Sequence, residues 1–287
     1  MKFDSIPNPS INLTSSRRSF GRASLTLPKI GFGTWKIGGG SFADPKTDPV
    51  SLAALHSALE TGYTHFDTAE MYANGHAEEL LGKAIRSSQV KREALFITSK
   101  VTPSHLQYDQ VLQSCENSLR RLQMEYLDLY LIHWPSAGMK LEDTFRALNK
   151  LVRDGKVKHL GVSNFNLKLL KQSQELSETP IITNQVSYSL SDRSNIKNGV
   201  LEYCQNNDII LTAYSPLDEG RLDSNKTLEA IARAHAATTY QIALAWVISQ
   251  PRVITIPRSG NPKHIKENFE AAEIELTQNE IEQLTNG

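Results

Sequence analysis

The chain has 287 residues, 39% of them hydrophobic and 22% charged, with 31 basic against 31 acidic residues and no formal net charge. That balance argues against a nucleic-acid binder, which carries a basic surplus to neutralise phosphates, but it leaves room for a local basic pocket. No apolar run approaches the roughly 18 residues a membrane span needs, so a cytoplasmic protein with no membrane partner is expected.

In chain order, Ser16-Arg17-Arg18-Ser19-Phe20 comes first and carries the arginine pair of a twin-arginine export signal. The continuation to Lys29 is too polar for the apolar stretch such a signal requires, so residues 1–20 are expected to be a flexible N-terminal arm. Residues 21–287 are expected to form one domain.

Beyond the arm, short β-rich runs alternate with longer amphipathic ones. Strands are predicted at 29–34, 64–68, 95–101, 127–133, 157–162, 182–187, 209–214 and 253–257. Most are close to continuously apolar, as strands buried on both faces are. Helical patterns cover 48–61, 76–87, 108–122, 141–154, 166–176, 195–207, 225–249, 262–272 and 277–285, with Gly62 as a C-terminal cap and a break around 235–239. Cys115 and Cys204 lie far apart on helical segments without a CxxC partner, and read as reduced thiols.

This alternation is the signature of an α/β chain folded as a (β/α)8 TIM barrel, with 25–30 as an N-terminal hairpin closing the bottom. A doubly wound sheet competes, and should show G-x-G-x-x-G after its first strand. Gly31-Phe32-Gly33-Thr34-Trp35-Lys36 has lysine where the third glycine belongs. The barrel is the better reading.

Reacting groups in such barrels sit at the C-terminal ends of strands. Asp67, Lys100 and His133 end the second, third and fourth strands, and Tyr72 follows five residues beyond Asp67. Singly, each is an ordinary rim residue, ion pair, core histidine or loop tyrosine. Together they make a proton-transfer unit. A free tyrosine, with a pKa near 10, is a weak acid at neutral pH, and a neighbouring ammonium favours its phenolate. Bringing it from about 10 to about 7 takes roughly 4 kcal/mol of differential interaction. Asp67 would hold Lys100 charged, and a neutral His133 would orient a carbonyl oxygen.

With these residues in view the chain closely resembles the aldo-keto reductases, from about Pro28 to its end. The resemblance is carried by the run from Gly62 to Ala69 with Met71 and Tyr72, by that from Asp128 to Pro135, and by Gly161-Val162-Ser163-Asn164-Phe165 and Ala213-Tyr214-Ser215-Pro216-Leu217. It implies NADPH-dependent reduction of aldehydes and ketones, with Tyr72 as general acid and Asp67, Lys100 and His133 completing a tetrad. It also implies that Ser163, Asn164 and Gln185 bind the nicotinamide carboxamide, that Tyr214 stacks on the ring, and that Ser215 and Leu217 belong to the cofactor site. Arg258, Ser259 and His264 are implied around the adenosine 2′-phosphate, where a helix opening near Pro262 turns its N–H groups to an anion. Glu267 and Asn268 match the adenine contacts. Arg258 stands where the family most often has lysine and His264 where many members have arginine, which leaves NADH as an alternative cofactor.

Trp35 and Trp134 resemble aromatic walls of the substrate pocket. The chain ends about 19 residues beyond Asn268 and the loops after His133 and Leu217 are short, so an open pocket for several small carbonyls is expected. No metal is expected, and a monomer is the default. Two other readings stand beside the reductase. One is a cofactor-binding regulatory subunit like the β subunits of potassium channels. The other is a metal-dependent hydrolase using His65, Asp67 and His133, in which Lys100 would be a poor neighbour to a cation.

Overall fold

The computed structural model describes residues 17–20, 25–222 and 225–286. Residues 1–16 of the expected arm therefore lie outside the described residues. Its last four residues do not form a loose tail. They make strand β1 (Arg17–Phe20), which pairs antiparallel with β2 (Leu25–Pro28). The expected hairpin is present, but its first strand lies upstream of 25–30. Arg18 fastens it, donating to the carbonyls of Ile248 at 2.9 Å, Gln250 at 2.5 Å and Val253 at 3.1 Å. Leu27 packs with Ile210 and Ile254 at the bottom of the sheet.

Eight parallel strands follow: β3 (Phe32–Gly33), β4 (His65–Asp67), β5 (Phe96–Val101), β6 (Leu127–Ile132), β7 (Val157–Ser163), β8 (Ile181–Ser187), β9 (Ile210–Tyr214) and β10 (Val253–Thr255). Neighbours in sequence are neighbours in the sheet, from β3 round to β10. The first and last strands are shorter than their apolar runs predict. They close the barrel through one parallel bridge, Ile30 to Thr255, made by Gly31 N to Thr255 O at 2.8 Å and Thr255 N to Lys29 O at 2.9 Å, with Gly33 N to Pro257 O at 3.1 Å beyond it. Pro257 has no N–H to extend this ladder. Glycine is required at 33, because a Cβ there would lie 2.6 Å from the Ile256 carbonyl oxygen.

The outer layer holds α1 (Asp48–Thr61), α2 (His76–Ser87), α3 (Tyr108–Leu122), α4 (Leu141–Arg153), α5 (Leu167–Leu176), α6 (Ser194–Lys197), α7 (Val200–Asn206), α8 (Lys226–Ala234), α9 (Thr239–Ser249), α10 (Pro262–Glu270) and α11 (Gln278–Asn286). Gly62 caps α1 at φ 107°, as its position predicts. The single helix expected at 195–207 is two, because Gly199 turns left-handed at φ 78° between them. The break expected near 235–239 is present, and a capping box between Thr238 and Gln241 starts α9. The helix expected to run to 272 ends at Glu270. Beyond its first turn α9 is a buried apolar run, Ile242–Ile248, that includes Trp246, which stacks on Tyr188 and donates to Thr285 Oγ1 at 3.1 Å on α11. No helix among the described residues is long and apolar enough to cross a membrane.

Candidate active site

The strand ends converge on one cavity of about 880 Å³ at the C-terminal mouth of the barrel. Asp67 is the last residue of β4, His133 follows β6, Ser163 ends β7, Gln185 lies two residues short of the end of β8, and Tyr214 ends β9. Ser163 and Gln185 are direct register partners, while Asp67 pairs with Thr98 and Tyr214 with Ser187, so the positions are staggered round the mouth as the strands of a barrel are. Every sequence-predicted site residue lines the cavity except Lys100, which lies fully buried behind it.

Lys100 is the hub of the buried group. Its Nζ donates to Asp67 Oδ1 at 2.5 Å, to the Thr68 carbonyl at 2.8 Å and to Tyr72 Oη at 3.2 Å. Burial alone would lower the Lys100 pKa, but Asp67 and Tyr72 outweigh it, so the ammonium is held above its ordinary value and stays charged. Asp67 has a second partner that sequence reasoning missed in that role: Gln185 Nε2 donates to its Oδ2 at 2.7 Å. Both carboxylate oxygens are thereby satisfied in a site from which water is nearly excluded.

One expectation is corrected. Burial raises the Tyr72 phenol above the usual tyrosine value, and the lowering effect of Lys100, opposed in part by Asp67, does not overcome it. Charge logic counted the ammonium but neither the dry surroundings nor the carboxylate behind it. The phenol therefore keeps its proton throughout the neutral range. His133 lies edge-on to Tyr72, with ring centroids 5.5 Å apart. Burial, with Lys100 adding to it, lowers its pKa to about 2, so the imidazole is neutral, as expected. The turn that carries Tyr72 is strained: Ala73 and Asn74 both adopt left-handed backbone, φ 49° and 53°, at a cost of about 1–3 kcal/mol each.

Next to this group lies a shelf of polar side chains. Ser163 Oγ donates to the Gln185 carbonyl at 2.8 Å, and Asn164 Nδ2 donates to Ser163 Oγ at 3.0 Å and the His133 carbonyl at 3.1 Å. Tyr214 Oη donates to Asn164 Oδ1 at 2.9 Å. Asn164 and Ser215 sit at φ 62° and 49°, a further concentration of strain at the cavity wall.

The far end of the cavity is lined by Ser215, Leu217, Arg258, Ser259, His264, Glu267 and Asn268. Asn261 caps α10 by accepting from Lys263 N at 3.0 Å, with Pro262 at the first helical position. Arg258 is exposed, and its hydrogen bond among the described residues is to the Lys36 carbonyl, at 3.3 Å. Asn268 is buried within α10, and its side chain makes no hydrogen bond among the described residues. Three of the lining groups that were not anticipated carry polar contacts. Lys263 adds a second cation at the start of α10, and its basic-to-acidic i,i+4 spacing with Glu267 was the available signal. Lys36 meets Glu219 at 3.0 Å and ties the loop after β3 to the loop after β9. Tyr240, at the start of α9, donates to the Gly220 carbonyl at 3.1 Å.

At the mouth stand Trp35, Met71 and Trp134, 36%, 39% and 44% exposed, with the Trp35 ring 5.2 Å from that of Tyr72. The metal-site reading finds no support in the side-chain geometry. His65 bonds Thr98 Oγ1 at 3.1 Å, and Asp67 is taken up by Lys100 and Gln185. Among the described residues no three His, Cys, Asp or Glu side chains gather to hold an ion.

Residues 29–286 match the family model described as the aldo/keto reductase family. The chain is 39% identical over 269 residues to a methylglyoxal reductase of Escherichia coli, covering 91% of this chain and 90% of that one. It is 40% identical over 262 residues to a glyoxal reductase of Bacillus subtilis, covering 91% and 88%. Among solved structures, a thermostable aldo-keto reductase in complex with the inhibitor epalrestat is 45% identical, with a TM-score of 0.91 over 94% of this chain and 98% of that one. An aldo/keto reductase of Klebsiella pneumoniae, solved with NADP and acetate, is 37% identical, with a TM-score of 0.84 over 94% of each chain.

Proposed function

The chain belongs to the aldo/keto reductase family and is an oxidoreductase; from that premise we propose that it reduces small aldehydes and ketones to alcohols, with Tyr72 as proton donor and NADPH as cofactor. The observation that carries this reading is the contact of Tyr72 Oη with the buried Lys100 ammonium, at 3.2 Å beside a neutral His133.

The cavity fits a nicotinamide dinucleotide. Among the described residues the Thr34 hydroxyl and His133 Nδ1 are buried there without a partner, and Asn268 is buried at the other end. Ser163, Asn164 and Gln185 would hold the carboxamide, Tyr214 the ring beside it, and Ser215 and Leu217 the segment beyond. Glu267 and Asn268 would hold adenine. Arg258, Ser259 and His264 would take the 2′-phosphate, helped by the α10 terminus. That cluster favours NADPH over NADH. When bound, the reduced nicotinamide supplies the hydride to the carbonyl carbon.

The chain's own residues do the rest. His133 donates to the carbonyl oxygen and fixes its direction. As negative charge builds on that oxygen, Tyr72 gives up its phenol proton to it. An alkoxide is a stronger base than a phenolate, so the transfer runs downhill even from a phenol raised by burial. The Lys100 ammonium, held in place by Asp67 and the Thr68 carbonyl, stabilises the phenolate left behind until a proton from solvent restores it. Trp35, Met71 and Trp134 shield the reacting centre and present an uncharged surface to the substrate.

The named activities of the Escherichia coli and Bacillus subtilis relatives support methylglyoxal and glyoxal as first substrates to assay. The reading takes the enzyme to be a single barrel domain, expected over 21–287 and joined upstream by strand β1, and a cytoplasmic monomer, the latter to be checked by light scattering. The decisive experiment follows NADPH and NADH consumption over a carbonyl panel for the wild type and Tyr72→Phe. Full activity in Tyr72→Phe, or turnover of one bulky ketone alone, overturns it.

A further inference from the structure

A second buried ion pair lies behind the turn that carries Tyr72, and the proton chemistry does not use it. Glu78, in the first turn of α2, is fully buried. Its Oε1 accepts from Ser99 Oγ at 2.5 Å and its Oε2 from Arg121 Nε at 2.6 Å. The three side chains belong to α2, β5 and α3.

Ser99 immediately precedes Lys100, and side chains alternate across a strand, so Ser99 faces the helices while Lys100 faces the barrel interior. β5 is therefore fastened on both faces at consecutive residues, by Lys100 to Asp67 inside and by Ser99 to Glu78 outside. Arg121 also reaches the turn itself. Gly75, which closes that turn at φ 90°, packs so tightly on Arg121 that a Cβ would sit 2.6 Å from its Nε. Further along α2, a Cβ on Gly82 would lie 2.4 Å from the Leu122 carbonyl oxygen of α3, so the two helices are in backbone contact.

Burying a carboxylate against a guanidinium costs desolvation that their attraction barely offsets, and apolar residues of equal volume would join the helices as well. What a hydrogen-bonded pair adds is direction. We propose that Glu78 is a positioning residue for proton transfer: through Ser99 it fixes the strand bearing Lys100, and through Arg121 the turn bearing Tyr72, and so sets the 3.2 Å between Lys100 Nζ and Tyr72 Oη. The proposal rests on the reading of Tyr72 as proton donor.

Glu78→Gln and Ser99→Ala test it, measured beside Tyr72→Phe. In Glu78→Gln, kcat falls about tenfold, the scale expected of a misplacement well under 1 Å, with a smaller fall in Ser99→Ala. KM and the NADPH dissociation constant, read by quenching of tryptophan fluorescence, stay within roughly twofold, because substrate and cofactor binding are untouched. The alkaline limb of the kcat profile moves to higher pH, since a loosened ammonium no longer draws the phenol down. Lower thermal stability with kcat and the limb unchanged makes the pair merely structural and overturns the proposal. If Glu78→Gln does not fold, Ser99→Ala decides the matter alone, because it removes one hydrogen bond and leaves the ion pair intact. If Tyr72→Phe is fully active, the reading beneath the proposal has failed; if Tyr72→Phe is dead and the Glu78 and Ser99 variants are normal, only the proposal has.

Discussion

The two ends of the cavity are built on opposite principles. At the barrel mouth, Asp67 and Lys100 are almost wholly removed from water, and their polar atoms are paired with each other, with Gln185 across the barrel and with the loop after β4. At α10, Arg258, Lys263 and His264 stand exposed around a capped helix terminus and touch little. Moving a proton needs fixed dipoles in a dry site, where each charge acts at full strength. Holding an anion needs only charge of the right sign, which water weakens but does not abolish. The first end should respond to mutation in rate, the second in affinity.

The largest effect expected is on Tyr72→Phe, which removes the proton that the proposed mechanism transfers and keeps the ring. It should lower kcat by roughly 10²–10⁴-fold, the range for a general acid, in steady-state assays. The NADPH dissociation constant should hardly move. A rise in that constant with kcat retained would merge the two ends and break the contrast.

Arg258→Ala comes next. Losing a charge-assisted contact to phosphate should weaken NADPH about tenfold or more, by fluorescence titration, with little change for NADH or for kcat at saturation. Added salt should weaken NADPH in the wild type in the same selective way, because these cations are exposed and screened. Equal loss for NADH and NADPH would remove the phosphate from this end.

The smallest effect is a flat line. With Tyr72 as the proposed proton donor, reduction would require the protonated phenol, and kcat should decline only as pH rises through the Tyr72 pKa, which burial holds above the usual tyrosine value. His133, lowered to about 2, and Lys100, raised, do not titrate near neutrality. Turnover at saturation should be level from about pH 6 to 9, with its fall beyond the ordinary tyrosine range of about 10. A limb near neutrality would mean that Lys100 prevails over burial after all.

The same contrast decides what could be read from sequence. Asp67, Lys100 and His133 stood out because polar residues at the ends of apolar strands need a reason to be there, and the β/α period places those ends together. The partnership of Gln185 with Asp67 joins β8 to β4 across the barrel, and no local pattern encodes it. The rise in the Tyr72 pKa depends on burial by several elements at once. The pairing of Arg17–Phe20 escaped notice because a polar segment shows no apolar alternation, and it is held by backbone and by Arg18 instead. Gly199 was legible as a glycine, but a pattern that continues past it conceals the break.

The seam where the barrel closes has a dynamic consequence. Only three backbone hydrogen bonds, two of them making the single Ile30–Thr255 bridge, are seen joining the first stave to the last among the described residues, so this stave should be the first to part in local fluctuations. The chain leaving one side of it carries Trp35, and the chain leaving the other carries Arg258, whose guanidinium reaches back to the Lys36 carbonyl. A dinucleotide lying against both would act as a stitch across the gap. Deuterium uptake at the amides of Gly31, Gly33 and Thr255 should therefore be fast in the free protein and slow markedly on adding NADPH, while the ladder between β5 and β6 is protected in both states.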